Sequence, residues 1–145
     1  MLQSTKYGRG GFTLVEIMIV VSIIALLAAM ALPSFKRARK RSQATSILEE
    51  LRLIDSAKGQ YALENSVAGG IAVGSDGLAP YFKSGSRLYN LFLTSGGATQ
   101  VPDLLGVNNI TIGVIDQPPL ITVSTRDNFS DVVASASSFW GSYAP

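Results

Sequence analysis

The stretch from Gly11 to Phe35 reads GFTLVEIMIVVSIIALLAAMALPSF, and it determines what the rest of the chain can be. No charged side chain occurs from Ile17 to Phe35. A helix that spans a bilayer needs roughly 20 apolar residues at about 1.5 Å each, so this run is long enough to cross a membrane. A buried core helix is the weaker interpretation, because such a helix is rarely apolar on every face.

A cleaved secretory signal is an alternative for the same stretch. Its apolar region is shorter, about 7–15 residues, and an A-x-A-like cleavage site follows it. The residues Ala28-Ala29-Met30-Ala31 resemble such a site. The length of the uncharged run favours the spanning helix, and the signal peptide stays open as a second interpretation.

Glu16 is the one acidic residue inside this apolar stretch. A carboxylate in hydrocarbon costs a few kcal/mol at the bilayer centre and less near an end, so such a residue is a functional candidate. One interpretation is that Glu16 extends to the membrane interface. Another follows from a cut between Gly11 and Phe12, which would leave an α-amine on Phe12. That amine would lie one helical turn from Glu16, or opposite the Glu16 of a neighbouring copy.

Gly11 followed by FTLVE resembles the leader junction of type IV prepilins and type II secretion pseudopilins. The resemblance implies that a prepilin peptidase cuts between Gly11 and Phe12 and that Phe12 becomes N-methylated. Counted from Phe12, Glu16 is fifth and Pro33 is twenty-second, which are the positions where the family has its Glu and its common Pro. It therefore implies that Glu16 and Pro33 serve assembly.

The family resemblance also implies a division of the chain. Residues 1–11 would be a class III leader peptide, and residues 12–35 the transmembrane and filament-core helix. Residues 36–66 would continue that helix as an amphipathic segment, and residues 67–145 would form a small β-rich globular head. The expected fold class is α+β, with a long N-terminal helix packed on a small antiparallel sheet.

A cluster of five basic residues follows the apolar run, and we call it the basic collar: Lys36, Arg37, Arg39, Lys40 and Arg41. The distribution of Lys and Arg around a span usually places the more basic flank in the cytoplasm. The N-terminal flank has only Lys6 and Arg9, so this count alone places the collar inside. The resemblance implies the opposite topology, with the leader in the cytoplasm and the head outside the inner membrane.

The collar has three interpretations from sequence. It can face lipid headgroups and water, or it can pair with acidic residues of neighbouring subunits, for which Glu49, Glu50 and Asp55 are the nearest candidates. It can also bind nucleic acid, but no aromatic residue interleaves with the cations, as single-strand binding would require. Nucleic acid is therefore not expected as a partner.

Beyond the collar, apolar residues recur at near-heptad spacing and predict that the helix continues to about Glu64: Ala44, Ile47, Leu51, Ile54 and Tyr61. Lys58 interrupts this stripe, although its aliphatic stem could pack. Asn65-Ser66 and Gly69-Gly70 end the pattern. A kink or local melting is expected at Pro33, because proline lacks the backbone donor and crowds the preceding turn.

The C-terminal part predicts strands and a packed tail. Strands are expected over Arg87–Leu93, Val107–Ile115 and Leu120–Thr125, the last two joined through Asp116-Gln117-Pro118-Pro119. Asp131–Trp140 is predicted to be a final strand or a packed tail. Trp140 is expected in the core.

The composition excludes most catalytic chemistry. The chain contains no cysteine and no histidine, so the usual nucleophilic triads and most zinc sites are unavailable. Asp127, Asn128 and Asp131 are weak candidates for a calcium site, and no metal or other cofactor is expected. The chain is therefore predicted not to be an enzyme.

The expected function is that of a structural subunit of a type II secretion pseudopilus or type IV pilus-like filament. The partners implied by the resemblance are other copies of the chain, other pseudopilins or minor pilins, the prepilin peptidase, an inner-membrane assembly platform and the lipid bilayer. The expected location is the inner membrane, as a single-pass protein with a periplasmic head, and later the filament. Two alternatives remain: a signal-anchored membrane protein with a ligand-binding head, and a competence pilin that captures DNA.

Overall fold

A computed structural model describes residues 11–133 and 136–145, so most of the predicted leader, including Lys6 and Arg9, lies outside the described residues. The chain divides into two compact units, one ending at Arg37 and one comprising Ala38–Pro145. The elements are helix α1, Leu14–Asn65; α2, Ser75–Leu78; a 3₁₀ turn, Ala79–Tyr81; α3, Arg87–Thr94; strands β1, Gln100–Pro102, β2, Asn109–Thr111, and β3, Leu120–Ile121; α4, Val123–Asn128; α5, Ala136–Trp140; and a final 3₁₀ turn, Gly141–Tyr143.

Helix α1 confirms the long N-terminal helix predicted from the apolar run and the heptad stripe. It ends at Asn65, and Ser66 follows with a positive φ of 51°. The helical assignment passes through Pro33 without interruption, so local melting at this residue is absent. The helix thus ends at the predicted Asn65-Ser66 signal. The backbone N–H that Pro33 lacks is tolerated in the middle of a long helix.

The core of the second unit is built on the predicted stripe of α1. Ala44, Ile47, Leu51 and Ile54 are fully buried there. They pack with apolar residues from the sheet and the short helices, including Val101, Ile110, Ile121, Phe92 and Trp140. Burial of a large apolar side chain contributes roughly 1.5–3 kcal/mol relative to exposure, so this stripe fixes the fold of the unit.

The sheet has three antiparallel strands in the order β1-β2-β3. Val101 pairs with Ile110, and Ile110 pairs with Ile121, which places three buried side chains side by side on one face. The long helix and this small antiparallel sheet confirm the α+β fold class. The strands are shorter than the sequence predicted, since Val107–Ile115 contributes only Asn109–Thr111.

The predicted strand at Arg87–Leu93 is wrong, because this segment is helix α3. Ser86 caps it, with Oγ accepting a hydrogen bond from the backbone N–H of Tyr89 at 3.2 Å. Leu88 and Phe92 are four residues apart and both are buried, as one face of a helix requires. The capping serine and the four-residue spacing both indicate a helix, whereas the apolar content of the segment does not distinguish a helix from a strand.

The predicted strand at Leu120–Thr125 is also wrong beyond its first two residues. Thr122 ends β3 and caps α4, because its Oγ1 accepts a hydrogen bond from the backbone N–H of Thr125 at 3.4 Å. The β-branched run is therefore divided at Thr122, which follows the strand and caps the helix. Within Asp131–Trp140 the described part contains α5, so the packed tail is correct and a final strand is not formed there. Trp140 is 1% exposed, which confirms its core position.

Candidate functional site

The N-terminal unit exposes an apolar surface on every side of its helix. All residues from Phe12 to Phe35 are exposed, including Phe12 at 79% and Phe35 at 69%. α1 is long and apolar enough to cross a membrane, with a mean hydropathy of 2.7 over its most apolar 18 residues and none of that window buried. A signal sequence near an N-terminus has the same properties. An apolar surface of this extent requires lipid or other protein to cover it.

Thr13 and Glu16 form a reciprocal cap at the start of this helix. The Thr13 side-chain oxygen accepts a hydrogen bond from the Glu16 backbone N–H at 3.2 Å. In return, the Thr13 backbone N–H donates to Glu16 Oε2 at 3.5 Å. This is the capping box expected from a Thr followed three residues later by Glu. The sequence carries that signal as TLVE, at Thr13 to Glu16.

The predicted cleavage junction is sterically open among the described residues. A Cβ atom built on Gly11 has no neighbour within 4 Å, and Phe12 is largely exposed. Among the described residues, packing therefore gives no reason for glycine at this position.

Among the residues that the structure describes, one side chain of the basic collar has an ionic partner and four have none. Lys40 Nζ lies 2.8 Å from Asp131 Oδ1. Within the described part of the chain, no partner is found for the other four side chains, which are exposed: Lys36, Arg37, Arg39 and Arg41. An ion pair this exposed contributes about 0–1 kcal/mol, so most of the collar charge is available to other molecules.

The weak metal candidates have other partners. Asp131 pairs with Lys40, and Asp127 Oδ1 lies 3.1 Å from Arg126 Nε. Across residues 11–133 and 136–145, no group of three or more metal-ligating acidic side chains is found. Asp127 and Asp131 thus lie beside cations, which is unfavourable for a calcium ion, and Asn128 is the last residue of α4.

A partly buried polar junction that sequence reasoning missed joins α1, α3 and the end of β1, with Glu50 buried and Arg87 reaching the surface. Glu50 Oε1 accepts a hydrogen bond from Arg87 Nη1 at 2.5 Å, and Arg87 Nη2 donates to the carbonyl oxygen of Asp103. Burial raises the pKa of Glu50 above the ordinary glutamate value, and Arg87 opposes that rise. Glu50 lies next to Leu51 on the apolar stripe, and that position was the available signal.

Lys58 forms a second buried anchor. Its side chain is fully buried, and Nζ donates to the carbonyl oxygens of Ile112, at 2.8 Å, and Gln117. Burial lowers the pKa of Lys58, while Asp55 and Asp116 act in the opposite direction. The residue that interrupts the predicted stripe therefore holds the connection between β2 and β3 against α1.

A surface pocket of about 450 Å³ lies beside the Glu50–Arg87 pair. Leu53 and Ala57 of α1 face Phe82 and Leu88 across it, and Lys83 lies at its edge. Two cations, Lys83 and Arg87, and the acid Glu50 also line the pocket, and Glu50 is paired with Arg87.

Comparison with known proteins addresses the N-terminal helix directly. The family model described as the prokaryotic N-terminal methylation motif matches residues 6–32. The chain is 39% identical over 67 residues to the type IV major fimbrial protein FimA of Dichelobacter nodosus, covering 46% of this chain and 43% of that protein. These matches support the type IV pilin family.

Other pilin relatives agree. A fimbrial protein of Neisseria meningitidis serogroup B is 35% identical over 80 residues, which cover 51% of this chain and 47% of the relative. The type IV wide pilus major component PilA4 of Thermus thermophilus is 39% identical over 56 residues, covering 39% of this chain and 43% of the relative. The chain therefore spans less than half the length of these curated relatives. No solved structure matches it.

The methylation motif and the predicted sites of this pilin-like chain overlap only in part. Gly11, Phe12 and Glu16 lie within residues 6–32, whereas Pro33 and the basic collar follow the end of the match. The basic collar and the head therefore lie outside the methylation motif.

Proposed function

We propose that this chain is a structural subunit of a type IV pilus-like filament, held in a membrane by its N-terminal helix before assembly. The observation that carries the proposal is the segment from Phe12 to Phe35, which is helical from Leu14, apolar and exposed on every face, and within which the methylation motif ends. Lipid can cover that surface in the monomer, and the same segments of other copies can cover it in a fibre. The matched relatives are named as pilus or fimbrial proteins, which supports a structural role rather than an enzymatic one.

Processing at Gly11–Phe12 is the first step of the proposal. A prepilin peptidase cuts after Gly11, and the new N-terminus on Phe12 is methylated. The open surroundings of Gly11 support this step, since a peptidase must reach the backbone on both sides of the bond. The name of the matched motif refers to N-terminal methylation, which agrees with a modified Phe12.

Glu16 acts in assembly after the cut. Cleavage leaves a charged amine on Phe12, and the carboxylate of a neighbouring Glu16 offsets part of its desolvation inside an apolar bundle. The reciprocal cap with Thr13 holds Glu16 at the first turn, so the acid is already ordered when a partner arrives. Subunits are added from an inner-membrane platform, with the collar and the head on the side of the membrane away from the cytoplasm.

The type of filament is a finer question. The matched proteins are pilus and fimbrial subunits, which supports a surface pilus. A type II secretion pseudopilus would assemble through the same kind of N-terminal helix, so it remains a second proposal for the type of filament. Deleting the chain from its host distinguishes the two: loss of surface fibres indicates a pilus, and retention of exoproteins in the periplasm indicates a secretion pseudopilus.

The filament proposal is tested by shearing surface fibres from the native host. The chain should be recovered in the sheared fraction, in a form that begins at Phe12. Recovery only in the membrane fraction, under conditions where fibres form, would overturn the filament role.

The pocket of about 450 Å³ is the observation that favours a second candidate, an anchored membrane protein with a ligand-binding head. Its volume falls in the range of about 300–1,000 Å³ that is typical of small-molecule sites. Recovery of the chain only in membranes, together with a saturable ligand at this pocket, would support that candidate.

A further inference from the structure

The proposed function does not account for four cations of the basic collar. Lys36, Arg37, Arg39 and Arg41 are exposed and have no partner within the described residues. Together with Lys40 they occupy roughly 200° of the helix circumference, at about 100° per residue. Like charges this close repel one another on a helix unless counter-charges lie nearby, so the collar favours an anionic surrounding.

The position of the collar along α1 indicates what supplies that surrounding. The uncharged run from Ile17 to Phe35 rises about 28 Å as a helix, which matches a hydrocarbon layer of about 30 Å. The collar begins at the next residue, and its six positions, 36–41, rise about another 8 Å. The headgroup region of each leaflet is roughly 5–7 Å thick. A span placed in the bilayer therefore puts the collar at the depth of the lipid phosphates.

We propose that the basic collar is a binding surface for anionic phospholipid headgroups, which hold the unassembled subunit at the outer leaflet of its membrane. The inference rests on the proposed function, because it requires that the apolar run spans a bilayer. Each Lys or Arg near an anionic surface gains roughly a fivefold preference when fully engaged. The collar thus gathers anionic lipids around the subunit and opposes its exit from the bilayer.

Acidic residues of other copies are the less favoured partner, because those nearest in sequence are engaged within their own chain. Glu49 pairs with Arg52, and Glu50 pairs with Arg87. Asp55 lies close to Tyr143, because burial and then the charge of Asp55 raise the pKa of the Tyr143 hydroxyl. Forming new pairs with a neighbouring collar would require breaking these contacts, whereas lipid phosphates are present in every membrane that the chain enters.

The experiment uses the full chain reconstituted in phosphatidylcholine bilayers with trace spin-labelled lipid. Electron paramagnetic resonance measures the motionally restricted fraction for labelled phosphatidylglycerol and for labelled phosphatidylcholine. We expect the relative association constant to favour phosphatidylglycerol by at least about twofold at low salt. The preference should fall toward unity at about 1 M salt, where the Debye length is about 3 Å.

Two matched variants locate the effect. The collar variant combines four substitutions: Lys36→Gln, Arg37→Gln, Arg39→Gln and Arg41→Gln. It should abolish the preference for phosphatidylglycerol, because it removes the collar charges that have no partner among the described residues. The control variant, Lys6→Gln with Arg9→Gln, removes the cations at the other end of the apolar run. This variant should keep most of the preference for phosphatidylglycerol. Retention of the preference in the collar variant, or its loss in the leader variant alone, overturns the proposal.

Two further measurements test whether the collar binds free phosphate or DNA instead of lipid headgroups. Replacing chloride by inorganic phosphate at equal ionic strength should reduce the preference no further, since a larger reduction would mean a site for free phosphate. Fluorescence anisotropy of a labelled DNA duplex with the same proteoliposomes should show no collar-dependent binding at moderate salt. Collar-dependent DNA binding without lipid preference would contradict the proposal and favour a nucleic-acid surface.

The failure of this inference is distinguishable from failure of the filament role. Flotation of the proteoliposomes shows whether the chain inserts, and sheared fibres from the host show whether it assembles. Insertion and assembly without a collar-dependent lipid preference would remove the lipid proposal and leave the filament intact. Failure of the chain to float with the vesicles would remove both.

Discussion

Thr13 and Glu16 cap the first turn of α1 reciprocally, with the Glu16 N–H 3.2 Å from the Thr13 hydroxyl and the Thr13 N–H 3.5 Å from the Glu16 carboxylate. An acid in an apolar helix thus has a local structural role in addition to the proposed pairing with a processed Phe12. The two roles are separable, because glutamine also serves in a capping box but carries no charge.

Glu16→Gln and Thr13→Ala are predicted to have unequal effects on assembly. Glu16→Gln keeps a capping group but leaves the Phe12 amine without a counter-charge, and breaking a buried pair from one side typically costs about 3–5 kcal/mol. Thr13→Ala loses the cap, at a cost of about 0.5–2 kcal/mol. We expect normal membrane insertion and cleavage for both, with sheared-fibre yield falling far more for Glu16→Gln. Equal yields for Glu16→Gln and wild type would show that the acid serves capping alone.

Substitution at Gly11 should affect processing and leave the fold unchanged. A Cβ at this position meets nothing within 4 Å among the described residues, so Gly11→Ala and Gly11→Leu are both compatible with the folded chain. The narrow path of a peptidase around the scissile bond predicts that Gly11→Ala is cut and Gly11→Leu is not. Intact mass of the membrane-extracted protein measures this. Efficient cutting of Gly11→Leu would contradict the predicted junction.

Lys58→Met is predicted to destabilise the second unit. It removes both hydrogen bonds from Nζ and leaves the carbonyl oxygens of Ile112 and Gln117 without that donor. Each unsatisfied buried group costs about 1–3 kcal/mol. The single tryptophan, Trp140, is buried and reports unfolding by fluorescence in detergent solution. Lys83→Met is the control, since Lys83 is exposed and should cost almost nothing.

The pH dependence of Lys58 provides a second measurement. Its pKa is lowered in the folded chain, so the unfolded chain binds more protons in the interval between the lowered value and the ordinary lysine value. The contribution of this group to stability therefore increases as pH rises through that interval and decreases as pH falls. The stability difference between wild type and Lys58→Met should grow at alkaline pH. A difference that does not change with pH would mean that Lys58 titrates normally.

Arg87→Met should be among the most damaging single substitutions in the second unit. It leaves Glu50 buried without its cation, at a typical cost of about 3–5 kcal/mol. The pKa of Glu50 is already raised by burial, so its contribution to stability falls as pH rises through the raised value. Losing Arg87 raises that pKa further, so the cost should be smaller in acid than at neutral pH. The double variant Glu50→Leu/Arg87→Met should recover part of the stability, and no recovery would mean that Arg87 acts mainly through Asp103.

Sequence reasoning was most successful where one physical requirement dominates a long segment. The uncharged run and the apolar stripe from Ala44 to Ile54 together predicted one long helix, and α1 contains both segments. The short elements of the second unit were harder, because one capping hydroxyl decides them: Ser86 starts a helix in an apolar run, and Thr122 starts one in a β-branched run. The buried Glu50 and Lys58 depend on partners 37 and 54 residues away, which local patterns do not specify.

Helical reconstruction of fibres sheared from the native host, by electron cryomicroscopy, tests the filament role most directly. The account predicts that this chain is a component of the fibre, that its first residue is Phe12, and that residues 12–35 are buried against the same segments of neighbouring copies. Glu16 should lie within hydrogen-bonding distance of a Phe12 amine. Fibres that lack this chain, or in which residues 12–35 make no contact between subunits, would contradict it.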